Sequence, residues 1–104
     1  MNVRALVVAY AKKIVLSCAR GYSIELDAMV EEFIRDGVSF VGVVGKDCAK
    51  VEDIIDELVV GDGSDEARSI LTSSHPGESV DEAITFAKSL TGEFAGDEVQ
   101  VVEL

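Results

Sequence analysis

The sequence predicts an α/β fold, a single small domain in which a mostly parallel sheet lies between layers of helix. Three observations carry that prediction. Short runs rich in Val, Ile and Leu alternate with longer stretches whose apolar residues recur at helical spacing. The run at residues 38–44, VSFVGVV, hardly alternates in polarity, as strands buried on both faces do. Each helical stretch is closed by a glycine before the next apolar run, so the chain returns by a right-handed crossover rather than a hairpin.

Residues 3–10 (VRALVVAY) read as a first strand, although Val3, Leu6, Val7, Tyr10 and Ile14 also share one helical stripe. Lys13–Cys18 is a second strand, ended by Ala19-Arg20-Gly21. Ser23 is the expected cap of the first helix, with Glu25 and Asp27 near the positive end of its dipole. Leu26, Met29, Val30, Phe33 and Ile34 form the buried stripe, and Gly37 stops it. After the strand at residues 38–44, Gly45-Lys46 turns the chain and Asp47 caps a second helix. Its stripe is Cys48, Val51, Ile54, Ile55, Leu58 and Val59, and Gly61 ends it. A solvated acidic loop at residues 62–67 lacks the spacing of a calcium loop. A strand follows at residues 68–73. Ser79-Val80-Asp81-Glu82 is a capping box ahead of the stripe Val80, Ala83, Ile84, Ala87 and Leu90, closed by Gly92. Residues 99–104 are a last strand with partial alternation, fit for an edge. The expected order is β-β-α-β-α-β-α-β, a three-layer domain of the Rossmann or flavodoxin kind with about five strands and three helices.

At 104 residues the chain supports one core and not two. Aromatic residues make up only 6%, so the core is built from aliphatic side chains. The 9 Lys+Arg stand against 20 Asp+Glu, a formal charge of −11. Such a surface repels nucleic-acid phosphates and anionic membranes, and it admits a basic protein partner. The apolar run near the start is only seven residues long, too short to span a bilayer and without the features of a secretory signal. With just two cysteines, Cys18 and Cys48, there is no disulfide framework, and a reducing, cytoplasmic setting is expected.

Parallel sheets bind ligands at the carboxyl ends of their strands. Three turns leave such ends here, and they bring Cys18, Arg20, Asp47, Cys48, Thr72, Ser73, Ser74, His75 and Glu78 to one rim. Cys48, at the first position of the second helix, is the expected nucleophile, since a helix N-terminus stabilises a thiolate. His75 would be its base or ion-pair partner and Glu78 would orient the imidazole. Asp47, Thr72, Ser73, Ser74 and Arg20 would contact a ligand. The reading that the residues favour is that Cys48 is a small apolar residue on the inner face of its helix, since free cysteine is commonly buried and inert. One His without a second ligand pair does not make a metal site, and no cofactor is expected. Nucleotide-binding glycine loops, Cys-x-x-Cys, Cys-x5-Arg and the paired acids of a receiver domain are all absent from the sequence.

The segment Gly45-Lys46-Asp47-Cys48, followed by Glu52-Asp53 and Asp56, resembles the Gly-x-Asp-Cys segment of a family of small bacterial proteins known only as a domain of unknown function. Thr72-Ser73-Ser74-His75-Pro76-Gly77-Glu78, with Glu82 and Phe86-Ala87-Lys88 after it, resembles that family's Thr-Thr-x-His-x-x-Glu run and the Phe-Ala-Lys that follows. The likeness begins at Val38. Ser74 and Val51 stand where the family tends to carry tryptophan, which implies a more open pocket here. The resemblance singles out Asp47, Cys48, His75 and Glu78 but implies no activity. The sequence thus supports a small acidic binding or regulatory module that meets a protein partner, or pairs with a second copy through an edge strand. The alternative is an enzyme or ligand sensor built on Cys48 and His75.

Overall fold

The computed structural model describes residues 9–65, 68–96 and 98–104. They form β1 (Lys13–Cys18), α1 (Glu25–Asp36), β2 (Phe40–Gly45), α2 (Cys48–Val60), β3 (Leu71–Ser74), α3 (Val80–Ser89) and β4 (Val99–Glu103), with a 3-10 turn at Gly92–Phe94. The four strands make one all-parallel sheet in the order β3-β2-β1-β4. About five strands were expected. The first of them, at residues 3–10, falls almost wholly outside the described residues, and Ala9 and Tyr10 are not strand. The order also differs from the flavodoxin type, which would seat β3 beside β1.

The layers follow from the alternation of side chains along each strand. Ile14, Leu16 and Cys18 of β1 and Val41 and Val43 of β2 face one way, where Leu26, Val30 and Phe33 of α1 and Val51, Ile55 and Val59 of α2 cover them. Val15 and Val44 face the other way, against Ala83 of α3. The second layer is thinner and includes a charge. Lys13 is buried, and its ammonium donates to the Ala87 carbonyl in the last turn of α3 at 2.9 Å. A cation at a helix C-terminus is favourably placed, and the carbonyl it meets otherwise accepts only a long bond from the cap N–H of Leu90, at 3.4 Å.

Local signals decide where the helices end. Ser79 and Glu82 form the expected capping box at α3, each side chain bonding the other's backbone N–H. Gly37 closes α1 in the left-handed conformation. Two caps differ from expectation. The N-cap of α1 is Ile24, one residue beyond Ser23, with no side-chain cap bond. Asp47 does hold the N-cap position of α2, but at φ 56° its side chain makes no cap hydrogen bond. At the other end of α2, Arg68 donates to the carbonyls of Val59 (3.0 Å) and Leu58 (2.8 Å). The same guanidinium grips Glu31 of α1 through two bonds and holds that carboxyl below its ordinary range. Among the described residues no helix is long and apolar enough to cross a membrane.

The tightest backbone approach lies where β1 and β2 end together. A Cβ on Gly45 would stand 2.3 Å from the Cys18 carbonyl oxygen, at a φ of +102° that side-chain-bearing residues avoid. Gly45→Ala is therefore expected to cost about 3 kcal/mol or more. Urea unfolding will read the loss, and a variant of native stability would contradict this packing.

Candidate functional site

The carboxyl ends of the strands do gather the expected polar residues on one rim, but they divide them between two faces of the sheet. Cys48 opens α2 as expected. Its side chain is buried within the aliphatic layer under α1 and α2, beside Leu16, Cys18 and Val51. His75 lies on the opposite face, its ring edge-on to Phe86 of α3 with centroids 4.9 Å apart. The sheet stands between them, so the expected Cys48–His75 pair is not formed. Glu78 lies within hydrogen-bond reach of one ring nitrogen, and the other ring nitrogen meets a different neighbour.

That neighbour is Ser73. Its Oγ lies 2.7 Å from His75 Nε2, and His75 Nδ1 lies 3.2 Å from Glu78 Oε1. A carboxylate can only accept, so in the neutral ring Nδ1 carries the proton toward Glu78. Nε2 is then the acceptor and the Ser73 hydroxyl donates to it. The backbone holds the arrangement in place. His75 N–H donates to the Val43 carbonyl at 2.9 Å, and Glu78 N–H donates to the His75 carbonyl at 3.2 Å. Room for the ring comes from Gly42 in the middle of β2. A Cβ there would lie 3.4 Å from His75 Nε2 and 3.1 Å from the Phe40 ring. Glycine inside a strand often marks such a close approach, and this was the sequence signal that could have found the site.

The other face of β3 is acidic. Thr72 Oγ1 donates toward Asp56 Oδ1 at 2.6 Å and Glu52 Oε2 at 3.0 Å, both from α2. One hydroxyl proton is shared between two carboxylates, which concentrates negative charge beside the strand. The two stretches that carried the family resemblance thus meet here. Ser74 points to the same side as Thr72 and is partly buried.

Arg20 and Asp47 lie away from β3. Arg20 borders a hollow of about 400 Å³ with Gly21, Tyr22, Ser23, Glu25 and Leu104, where the β1 and β4 ends diverge. The Asp47 carboxylate sits against Gly21, its Oδ2 3.1 Å from where a Cβ would be. Ser73, His75 and Glu78 border neither this hollow nor those of about 630 Å³ and 360 Å³ elsewhere on the surface. Among the described residues no three His, Cys, Asp or Glu side chains are grouped to hold a metal ion.

Both thiols are buried and unbridged. Burial pushes the Cys18 thiol up to about 11, with Cys48 and Glu103 adding to the rise. An unfolded thiol titrates near ~8.5. Between those values the unfolded chain releases a proton that the folded chain keeps, so stability falls as pH rises from about 9 toward 11. Tyr10, raised by burial and then by Glu32, adds to the same fall. Cys18→Ala is expected to reduce that slope in urea titrations across the alkaline range. Iodoacetamide at pH 8 is expected to leave Cys18 intact until the chain is unfolded.

Comparison with known proteins adds one fact. No curated protein and no solved structure matches the chain. Residues 5–103 match a family described as a domain of unknown function, DUF7684, and the chain belongs to that family.

Proposed function

We propose that this domain is a small acidic binding module, and that it takes an extended, basic segment of a protein partner along the open edge of β3. The observation that carries this reading is the edge itself. Among the described residues β3 pairs with β2 alone. The N–H groups of Leu71 and His75 donate inward, to Ser39 and Val43. Alternation along a strand then turns the backbone groups of Thr72 and Ser74 outward. Edges exposed in this way are ordinarily blunted by lysine, proline or a bulge, and Leu71–Ser74 contains none of these.

Charge selects the partner. Glu52 and Asp56 crowd one side of the edge, and the whole chain carries −11. An extended segment with Lys or Arg at alternate positions would pair its backbone with β3 and set its cations toward that pair. Strand addition gains affinity from main-chain hydrogen bonds and specificity from alternate side chains. Two copies joined through β3 would instead bring two such acidic pairs together, which disfavours self-pairing there. The other edge, β4, exposes Val101 and offers the only apolar alternative among the described strands. The acidity argues against nucleic acid as the partner for the same reason that it favours a basic peptide.

The test is a titration of the labelled protein with an alternating Lys-Val heptapeptide, followed by amide chemical shifts. Shifts are expected at Thr72 and Ser74, weakening as salt is raised. Ser74→Pro removes an outward N–H without breaking a ladder bond, and it is expected to lower affinity at least tenfold. Shifts confined to β4, or insensitivity to both Ser74→Pro and salt, would overturn the reading.

A further inference from the structure

The contact chain on the inner side of β3 has an order that the binding reading does not use. A hydroxyl meets an imidazole nitrogen, and the other ring nitrogen meets a carboxylate, at 2.7 Å and 3.2 Å. These are the separations at which a nucleophile, its base and the group that positions the base operate. We propose that Ser73 is a nucleophile that accepts acyl groups from small activated esters, with His75 as general base and Glu78 as the positioning residue.

Four features support the assignment. The Glu78 contact fixes the tautomer, leaving Nε2 free to take the Ser73 proton. The ring is only 5% exposed and packs edge-on against Phe86, which shields it from bulk water. Ser73 itself is only partly buried, at the strand edge. The next residue, Ser74, turns its backbone N–H outward on that edge. The N–H after a nucleophile is a standard donor to the oxyanion of an acyl-transfer intermediate. Ser73 borders none of the hollows of about 630, 400 and 360 Å³, and a small ester or an acyl group on an extended segment lying against the strand suits that position.

The chemistry balances without a co-reactant other than water. Ser73 Oγ attacks the carbonyl carbon while its proton passes to Nε2. The bond to the leaving oxygen breaks and that oxygen receives the proton from the imidazolium. A water molecule then gives a proton to Nε2 and attacks the acyl-serine carbon. The acid leaves, and Ser73 recovers its proton from the ring. The net change is ester plus water to carboxylic acid plus phenol.

The experiment uses the full chain with diisopropyl fluorophosphate and with p-nitrophenyl acetate, and no peptide is present. One diisopropylphosphoryl adduct per chain is expected, formed with loss of fluoride and located on Ser73 by peptide mass mapping. Ser73→Ala is expected to abolish both the adduct and the nitrophenol release. Glu78→Gln keeps a hydrogen bond but not the carboxylate, and it is expected to slow labelling about 10²-fold or more and to move its pH midpoint. His75→Gln tests the base. Since that change touches a buried ring, Ser73→Cys is made as well, and its thiol is expected to react with p-nitrophenyl acetate faster than the thiols of the parent chain. Absence of an adduct on Ser73, labelling spread evenly over other hydroxyls, or a rate and pH profile unchanged in Glu78→Gln would each overturn the proposal. None of these outcomes depends on whether a peptide binds β3.

Discussion

Parallel strands cannot be joined by tight turns, and that constraint arranges this molecule. Each return to the amino end of the sheet requires a crossover, and here each crossover is a helix. Two successive crossovers in one direction lay β2 and then β3 outward from β1, with α1 and α2 stacked on the same face. The third reverses direction, carries α3 across the other face and adds β4 on the far side of β1. Every strand therefore ends on the same rim. The two outer strands are the last two in the chain, β3 polar and short and β4 richer in valine. The reversal also explains the uneven core. Two helices supply a dense aliphatic layer on one face, while a single short helix on the other leaves room for Lys13, Phe40 and the His75 ring.

Much of this was legible from the residues, since periodicity and caps act over a few positions. The capping box at Ser79 and the stop at Gly37 follow from backbone groups that must be satisfied locally. What periodicity does not encode is which face of the sheet a residue joins once its strand is placed. Ending the strand at Ser73 hid the two-residue spacing that puts Ser73 and His75 on one side. The strand runs to Ser74, and the ring follows in register. Cys48 failed as a partner for the opposite reason. Its helix packs on the face that His75 does not occupy, a consequence of crossover handedness that requires the strand order to be known. Asp47 shows a third limit. A left-handed residue before a helix reads as an ordinary cap from sequence, although its side chain turns back to the loop after β1.

The polar rim separates into three environments that differ in water access. Both thiols are buried, and burial holds the Cys18 proton far into the alkaline range. Arg20 and Tyr22 stand in solvent beside a hollow. Ser73, His75 and Glu78 lie between these extremes, with a buried ring, a partly buried hydroxyl and an exposed carboxylate. Only this intermediate setting can couple a proton transfer to the outside. A wholly buried chain would have no substrate, and a wholly exposed one would exchange its hydrogen bonds with water.

His75 also bears on how much of the arrangement is structural. Burying an imidazole with either nitrogen unpaired costs roughly 1–3 kcal/mol, and among the described residues no buried side-chain nitrogen or oxygen lacks a partner. A carbonyl on the protonated nitrogen and a backbone N–H or a water on the other would meet that requirement equally well. Mere satisfaction explains neither the carboxylate on one side nor the hydroxyl on the other, nor the glycine that lets the ring lie against β2. A ring held only to fill space would be replaced at lower cost by an aliphatic side chain packed against Phe40 and Phe86. The combination of a polar ring, a cleared seat at Gly42 and an acceptor facing a strand-edge hydroxyl concentrates chemistry where the sheet is open. Packing alone gives no reason for that coincidence, and proton transfer at Ser73 supplies one.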